Sequence, residues 1–428
     1  MIIFQDLRPI FYKVFPNRDF YDNARNVDKK IFEKLRWVQL VFKKEKPTLQ
    51  ILLLTQFMQS NQLNSKPHYP ILDGLRGVAA ILVVIYHLFE AYFPVPANHP
   101  EHHGYLAVDF FFLLSGFVVG YAYDDRWQRM TVLQFFKIRL VRLHPLVILG
   151  VIIGVIGFWF DPFTNGMQHT SVLKLIGVML ISFTLLPSPD VRGWNETHPL
   201  DGPCWSLLQE YIANIIYALI GRKMSKWALG ALVFISAITL IWVATWRGDL
   251  GTGWGYDTFW IAVVRMMFPF FAGLLLYRIG KVVHVPNAYL VCSLLLIILF
   301  FMPTFKHNGI YEASCIIIGF PVIIAIGAGG TVSGGWAKVC NFLGAISYPI
   351  YITHYPFIYI YTAWVATKKP SPQQIMPVAI GLFVLFIVLA YAALKLYDEP
   401  VRNWLKQNWL MKGSKQKNKR PAAEIVNQ

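Results

Sequence analysis

Apolar runs of near-membrane length alternate with short polar connections along most of this chain. Eleven can be marked, at about 75–93, 105–122, 144–160, 171–187, 206–220, 227–246, 258–277, 287–303, 311–328, 343–365 and 376–397. Runs close to twenty residues match the hydrocarbon thickness of a bilayer, where every backbone polar group must be satisfied within the helix. The pattern predicts an all-α, polytopic membrane helix bundle. The basic residues between runs then set a topology. Arg126, Arg129, Lys137, Arg139 and Arg142 mark one cytoplasmic connection, Arg222, Lys223 and Lys226 a second, Arg278 and Lys281 a third. Three runs lie between the first two connections, where parity allows two or four. The run 171–187, with its polar sequel Ser188 to Pro203, is therefore expected to enter and leave on the outer side. That leaves about ten transmembrane helices, one re-entrant or non-crossing segment, and both termini cytoplasmic. Lys368 and Lys369 fall outside in this topology and fit it poorly.

Before the first run, residues 1–67 are mixed and basic, the pattern of a cytoplasmic or amphipathic extension lying on the membrane surface. They lack the compact apolar core and small-residue cleavage site of a secretory signal. Residues 68–400 form the membrane domain, and 401–428 read as a basic, disordered cytoplasmic tail.

Composition sharpens this reading. A chain of 428 residues that is 56% hydrophobic and 14% charged cannot be an ordinary soluble domain. Its net charge of +16 sits mainly at the ends and in short connections, which fits the anionic face of a bilayer and argues against a nucleic-acid partner. Cys204, Cys292, Cys315 and Cys340 show neither disulfide-framework nor metal spacing. His99, His102 and His103 share the loop from Pro94 to Gly104, which reads as a solvated outer turn rather than a metal site.

The candidate chemistry lies in ionisable groups inside apolar runs, which are costly and tend to face a cavity or a partner. Arg76 and His87 are eleven residues apart on the first run, so they share a helix face and differ in height by about 16 Å. Asp109 can orient one nitrogen of the His87 imidazole and leave the other as a base, or simply hold two helices together. Ser206, Glu210 and Asn214 recur every four residues as a polar stripe. Arg265 is a candidate partner for Glu210, and His354 follows Ser347 by seven residues, about two turns. Depth estimates put His87, Asp109, Glu210 and Arg265 in the outer half and His354 near the midplane. Arg139 and Arg142, one turn apart before His144 and Pro145 open the next span, either mark topology or, with Arg76, hold a phosphorylated ligand.

Five motifs in order resemble acyltransferase family 3. They are Leu72-Asp73-Gly74-Leu75-Arg76-Gly77 followed by Tyr86-His87; Val108-Asp109 running to Ser115-Gly116-Phe117; and Arg139-Leu140-Val141-Arg142-Leu143-His144-Pro145. Trp205-Ser206 running to Gln209-Glu210 and Ile346-Ser347 running to His354 complete the set. The likeness covers about Pro70 to Pro400. It implies a bacterial inner-membrane O-acyltransferase that takes an acyl group, often acetyl, from acyl-CoA to a hydroxyl of a carbohydrate or polysaccharide. Such an enzyme has acyl-CoA (acetyl-CoA in the usual case), the acceptor glycan, the lipid bilayer and polysaccharide-biosynthesis proteins as partners, and no permanently bound cofactor or metal. The family's Arg, ten residues, His pattern falls on Arg76 and His87, and its Arg-x-x-Arg pattern on Arg139 and Arg142. The extracytoplasmic hydrolase-like domain of longer relatives has no counterpart here, so transfer is expected to finish within the membrane part or on a separate protein.

The expected mechanism places CoA phosphates at Arg76, Arg139 and Arg142 and the thioester near His87. His87, oriented by Asp109, is the expected base, and Ser115 or Arg265 the oxyanion donor. Ser206, Glu210 and His354 line the acceptor side. A transient acyl-enzyme is compatible with this scheme. The rival reading is a proton-coupled secondary transporter of a small polar solute, which also uses intramembrane His, Asp, Glu and Arg. A structural subunit of a polysaccharide-export assembly is a third.

Overall fold

The computed structural model describes residues 68–93, 95, 98–164 and 170–410. The expected surface extension 1–67 and the end of the tail, 411–428, lie outside them. Among the described residues twelve helices follow in order: α1 Pro70–Glu90, α2 Ala107–Tyr123, α3 Val132–Trp159, α4 Val172–Ser182, α5 Cys204–Leu219 and α6 Lys226–Arg247. Then come α7 Phe259–Ile279, α8 Ala288–Phe301, α9 Asn308–Gly329, α10 Gly334–Thr353, α11 Tyr355–Lys368 and α12 Pro372–Leu410. Seven of them, α1, α3, α6, α7, α9, α12 and α2 with its leading 3-10 turn, are long and apolar enough to cross a bilayer. The protein is a multi-pass membrane protein.

Several boundaries differ from the hydrophobic pattern for identifiable reasons. The run 171–187 forms only the eleven-residue α4, about 16 Å long and too short to cross. α3 starts at Val132, where Thr131 and Gln134 form a reciprocal capping box, and runs on through Pro145. Arg139 and Arg142 therefore lie inside a helix and not in a connection before one. The run 343–365 is two elements: α10 ends at Thr353, and Pro356 enters the first turn of α11. Proline disfavours helical geometry in the residue before it and removes a donor. His354 sits at that break. The tail's first ten residues, expected to be disordered, continue α12, held by Asp398 to Arg402 (2.7 Å) and by Lys137 over the Trp409 ring.

Two helix pairs set the frame. α1 and α10 run side by side in the same direction, because α1 presents Gly74 and Gly77 where Cys340 and Leu343 approach. A Cβ on Gly77 would stand 2.6 Å from the Leu343 backbone. α2 and α7 cross as closely, with Gly116 against Phe270 and Gly273 against Leu113. Small residues at these contacts let backbones approach, which is how helices gain packing where lipid offers no hydrophobic drive. The larger core cluster runs from Ile71 and Leu75 through Phe110 and Phe117 to Phe300 and Phe320.

Candidate active site

The face that Arg76 and His87 share is the face of α1 packed on α10. At one end Arg76 donates from Nε to Ser347 Oγ (2.8 Å) and from Nη2 to the Gly344 carbonyl (2.7 Å), and it pairs with Asp73 at 3.1 Å. At the other end the His87 and His354 rings stand 5.5 Å apart. Ser347 and His354, two turns apart on α10, thus face Arg76 and His87, three turns apart on α1. α1 begins at Pro70 and ends at Glu90, so His87 lies in its last turn, nearer the end than the hydrophobic run suggested.

His87 is not oriented by Asp109. Its Nδ1 faces Glu90 Oε2 at 2.8 Å, one turn further along the same helix. A carboxylate only accepts, so Nδ1 carries a proton, and in the neutral ring Nε2 presents its lone pair. His354 has the same tautomer by a different route: Nδ1 donates to the Ile350 carbonyl at 2.8 Å. Its Nε2 is buried without a hydrogen-bond partner. Tyr355 meets His87 edge-on at 4.8 Å, and Tyr86 at 5.3 Å.

Asp109 is instead locked to Arg265 by two hydrogen bonds, one of them from Nε at 3.2 Å. Arg265 also donates to the carbonyls of Thr252 (2.7 Å) and Tyr105 (3.1 Å), and both side chains are almost wholly buried. The pair holds α2, α7 and the 250–258 connection together. The reason is packing: the glycine contacts of α2 and α7 bring those two helices, not α1 and α2, to closest approach.

Glu210 pairs with Arg139, not Arg265, and Ser115 Oγ donates to the same carboxylate oxygen at 2.9 Å. Residues assigned by depth to opposite halves of the membrane therefore meet. Ser206 joins Tyr351 at 2.7 Å, one turn before His354, and donates to the Pro203 carbonyl. The stripe on α5 is thus an interhelical contact at Ser206 and Glu210, while Asn214 donates back to the Glu210 carbonyl of its own helix. Of the three expected phosphate ligands, Arg76 and Arg139 already have partners. Among the described residues no hydrogen bond or ion pair engages Arg142, which lies close enough to Arg76 and Arg139 for their charges to act on it.

The loop after α1 is a lid, not a solvated turn. His99 and His103 are buried; His99 stacks on Tyr86 at 4.4 Å and donates from Nε2 to the Tyr86 carbonyl at 3.0 Å. Glu101 is fully buried with neither oxygen bonded, and burial pushes its carboxyl up to about 9. His103 and Tyr105 close on Glu312 of α9, which also accepts from the Leu250 amide. No group of three or more His, Cys, Asp or Glu among the described residues is arranged to hold a metal ion. Sequence reasoning missed Glu90 and Glu312. The i, i+3 spacing of His87 and Glu90 was a legible signal, whereas nothing local distinguishes Glu312.

The arrangement is an imidazole held by a carboxylate at one end of a helix pair and a guanidinium cluster near the other. An integral-membrane group-transfer enzyme fits that geometry. The acyltransferase domain model matches residues 69–395, and the chain belongs to acyltransferase family 3. It is an acyltransferase acting on groups other than amino-acyl groups. Protein 2 in the picA locus of Rhizobium radiobacter is 32% identical over 181 residues, 40% of this chain and 92% of that protein. O-acetyltransferase OatA of Staphylococcus aureus is 26% identical over 377 residues, 81% of this chain. Peptidoglycan O-acetyltransferase OatA of Listeria monocytogenes is 24% identical over 385 residues, 83% of this chain. The match spans 59% of the length of each OatA protein. No solved structure matches the chain.

Proposed function

We propose that this protein moves an acyl group, acetyl in the simplest case, from acyl-CoA to a hydroxyl of a carbohydrate or polysaccharide at the outer side of the bacterial inner membrane. The observation that carries this reading is the His87–Glu90 pair, with Nδ1 held as a donor and Nε2 left as an acceptor beside the unpartnered Nε2 of His354. Support for the acceptor class comes from the O-acetyltransferases to which the chain is similar.

The donor enters from the Arg76 end of the α1–α10 seam, taken as cytoplasmic because Arg222, Lys223, Arg278 and Lys281 gather in the connections there. Arg142 is the available phosphate ligand; Arg76 and Arg139 reach phosphate only by releasing their present partners. At the far end, His87 Nε2 takes the acceptor's hydroxyl proton as the oxygen attacks the thioester carbonyl. The tetrahedral intermediate collapses, the C–S bond breaks, and the CoA thiolate takes the proton back from Nε2. The products are an ester and free CoA thiol. Glu90 steadies the imidazolium meanwhile, and His354 Nε2 accepts a hydrogen bond from the incoming acceptor. Arg265 and Ser115 are committed to carboxylates, so the oxyanion donor is not one of them.

His87→Ala tests the base directly. Glycan-dependent release of CoA thiol by the purified protein should fall by about 10²- to 10⁴-fold with binding of acyl-CoA intact. Turnover at the wild-type rate would sink the assignment.

A further inference from the structure

At the Arg76 end, away from the α1–α10 seam, the ends of α2 and α7 and the α5–α6 turn border an open surface cavity of about 440 Å³, lined by Asp124, Arg222, Met224, Lys226, Tyr277 and Arg278. Its charges are not equivalent. Arg278 grips Asp124 through Nε (2.7 Å) and Nη2 (3.1 Å), donates from Nη1 to the Met224 carbonyl (3.0 Å), and so cancels the one carboxylate in the lining. Tyr217 also donates to Asp124 (2.8 Å) and accepts from Trp127 Nε1 (3.0 Å), which pins the indole.

Arg222 lies over that indole at 4.4 Å. Stacking fixes the plane of the guanidinium and leaves its N–H edges free. Its Nε is shielded from solvent with no acceptor in reach, and among the described residues no hydrogen bond or ion pair engages Arg222 or Lys226. The cavity therefore carries two uncompensated cations, one held flat against an indole and one exposed. Immediately beside it the outer surface turns apolar, with Leu219, Ile220 and Trp227 all more than half exposed. A free inorganic anion would use the cations and nothing else. A molecule with a phosphate head and hydrocarbon tails uses both surfaces, and a net negative head matches a net charge of two better than a zwitterion.

We propose that this cavity binds the headgroup of an anionic phospholipid, with the phosphate between Arg222 and Lys226 and the acyl chains over Leu219, Ile220 and Trp227. Basic pockets at helix ends are where such headgroups bind, and an interfacial Trp such as Trp227 marks the depth. The proposal does not depend on the acyl-transfer reading, because neither cation belongs to that site.

The test uses the full chain in nanodiscs of phosphatidylcholine doped with phosphatidylglycerol, with retained lipid counted by native mass spectrometry. Wild-type protein should keep phosphatidylglycerol selectively, and Arg222→Gln with Lys226→Gln should weaken that retention about thirtyfold. Lys226→Gln alone, at an exposed position that cannot cost the fold, should weaken it about fivefold. Equal retention by wild type and both variants overturns the proposal. So does displacement of the lipid by glycerol 1-phosphate at matched concentration, which would make the cavity a soluble-anion site.

Discussion

Two charged pairs lie toward the same end of the bundle, one in the last turn of α1 and one in the first turn of α2, and they differ in what they leave undone. Asp109 and Arg265 satisfy each other and two backbone carbonyls in a dry interior. His87 and Glu90 satisfy one bond between them, at the partly open end of α1, and leave a ring nitrogen free next to a second free ring nitrogen on His354. Both look equally suspicious as ionisable residues within apolar runs. In the proposed mechanism, unsatisfied hydrogen-bonding capacity, not intramembrane charge as such, separates chemistry from scaffolding.

That contrast is breakable by substitution. The largest effect is expected from Asp109→Ala, which strands the Arg265 guanidinium in the interior and should cost about 3–5 kcal/mol, read as loss of folded protein after extraction. Replacing both residues by leucine should restore folding and some turnover; a folded but dead double variant would move the pair into the catalytic machinery. Glu90→Gln should fold normally and lower kcat by about a hundredfold with little change in KM for acyl-CoA, since it removes only the group that steadies the imidazolium. An effect confined to KM would make Glu90 a binding residue.

At the opposite end, Arg142→Ala should raise KM for acyl-CoA about tenfold and leave kcat close to wild type. An unchanged KM would return Arg142 to a topological role. The smallest effect concerns the lid. Glu101 holds its proton to about pH 9 when folded and releases it near 4.5 when unfolded. The folded state therefore binds more protons between those values, and stability falls as pH rises through that window. Glu101→Gln should flatten the melting temperature against pH over the same range; an unaltered slope would mean the carboxyl is hydrated and the lid open.

The lid also shows where local reading fails. A loop with three histidines and a glutamate looks solvated by composition, yet His99, Glu101 and His103 are buried because Tyr86 offers a ring and a carbonyl to His99 and α9 brings Glu312 to His103. The polar stripe of α5 failed differently. Its period was right, but a period says only that Ser206 and Glu210 share a face, and Arg139 and Tyr351 reached that face from helices whose rotation no local pattern records.

What the sequence determined by itself was therefore one helix at a time. Apolar run length defined an all-helical membrane protein, the turn of the helix put Arg76 and His87 on one face, and five ordered motifs pointed to the acyltransferase family. Which groups meet was settled only by the tertiary structure, through the rotation and height of neighbouring helices. Glycines at 74 and 77 and at 116 and 273 choose the closest pairs, α1 with α10 and α2 with α7. From those two choices follow His354 beside His87, Asp109 turned to Arg265, and His87 held by a carboxylate on its own helix.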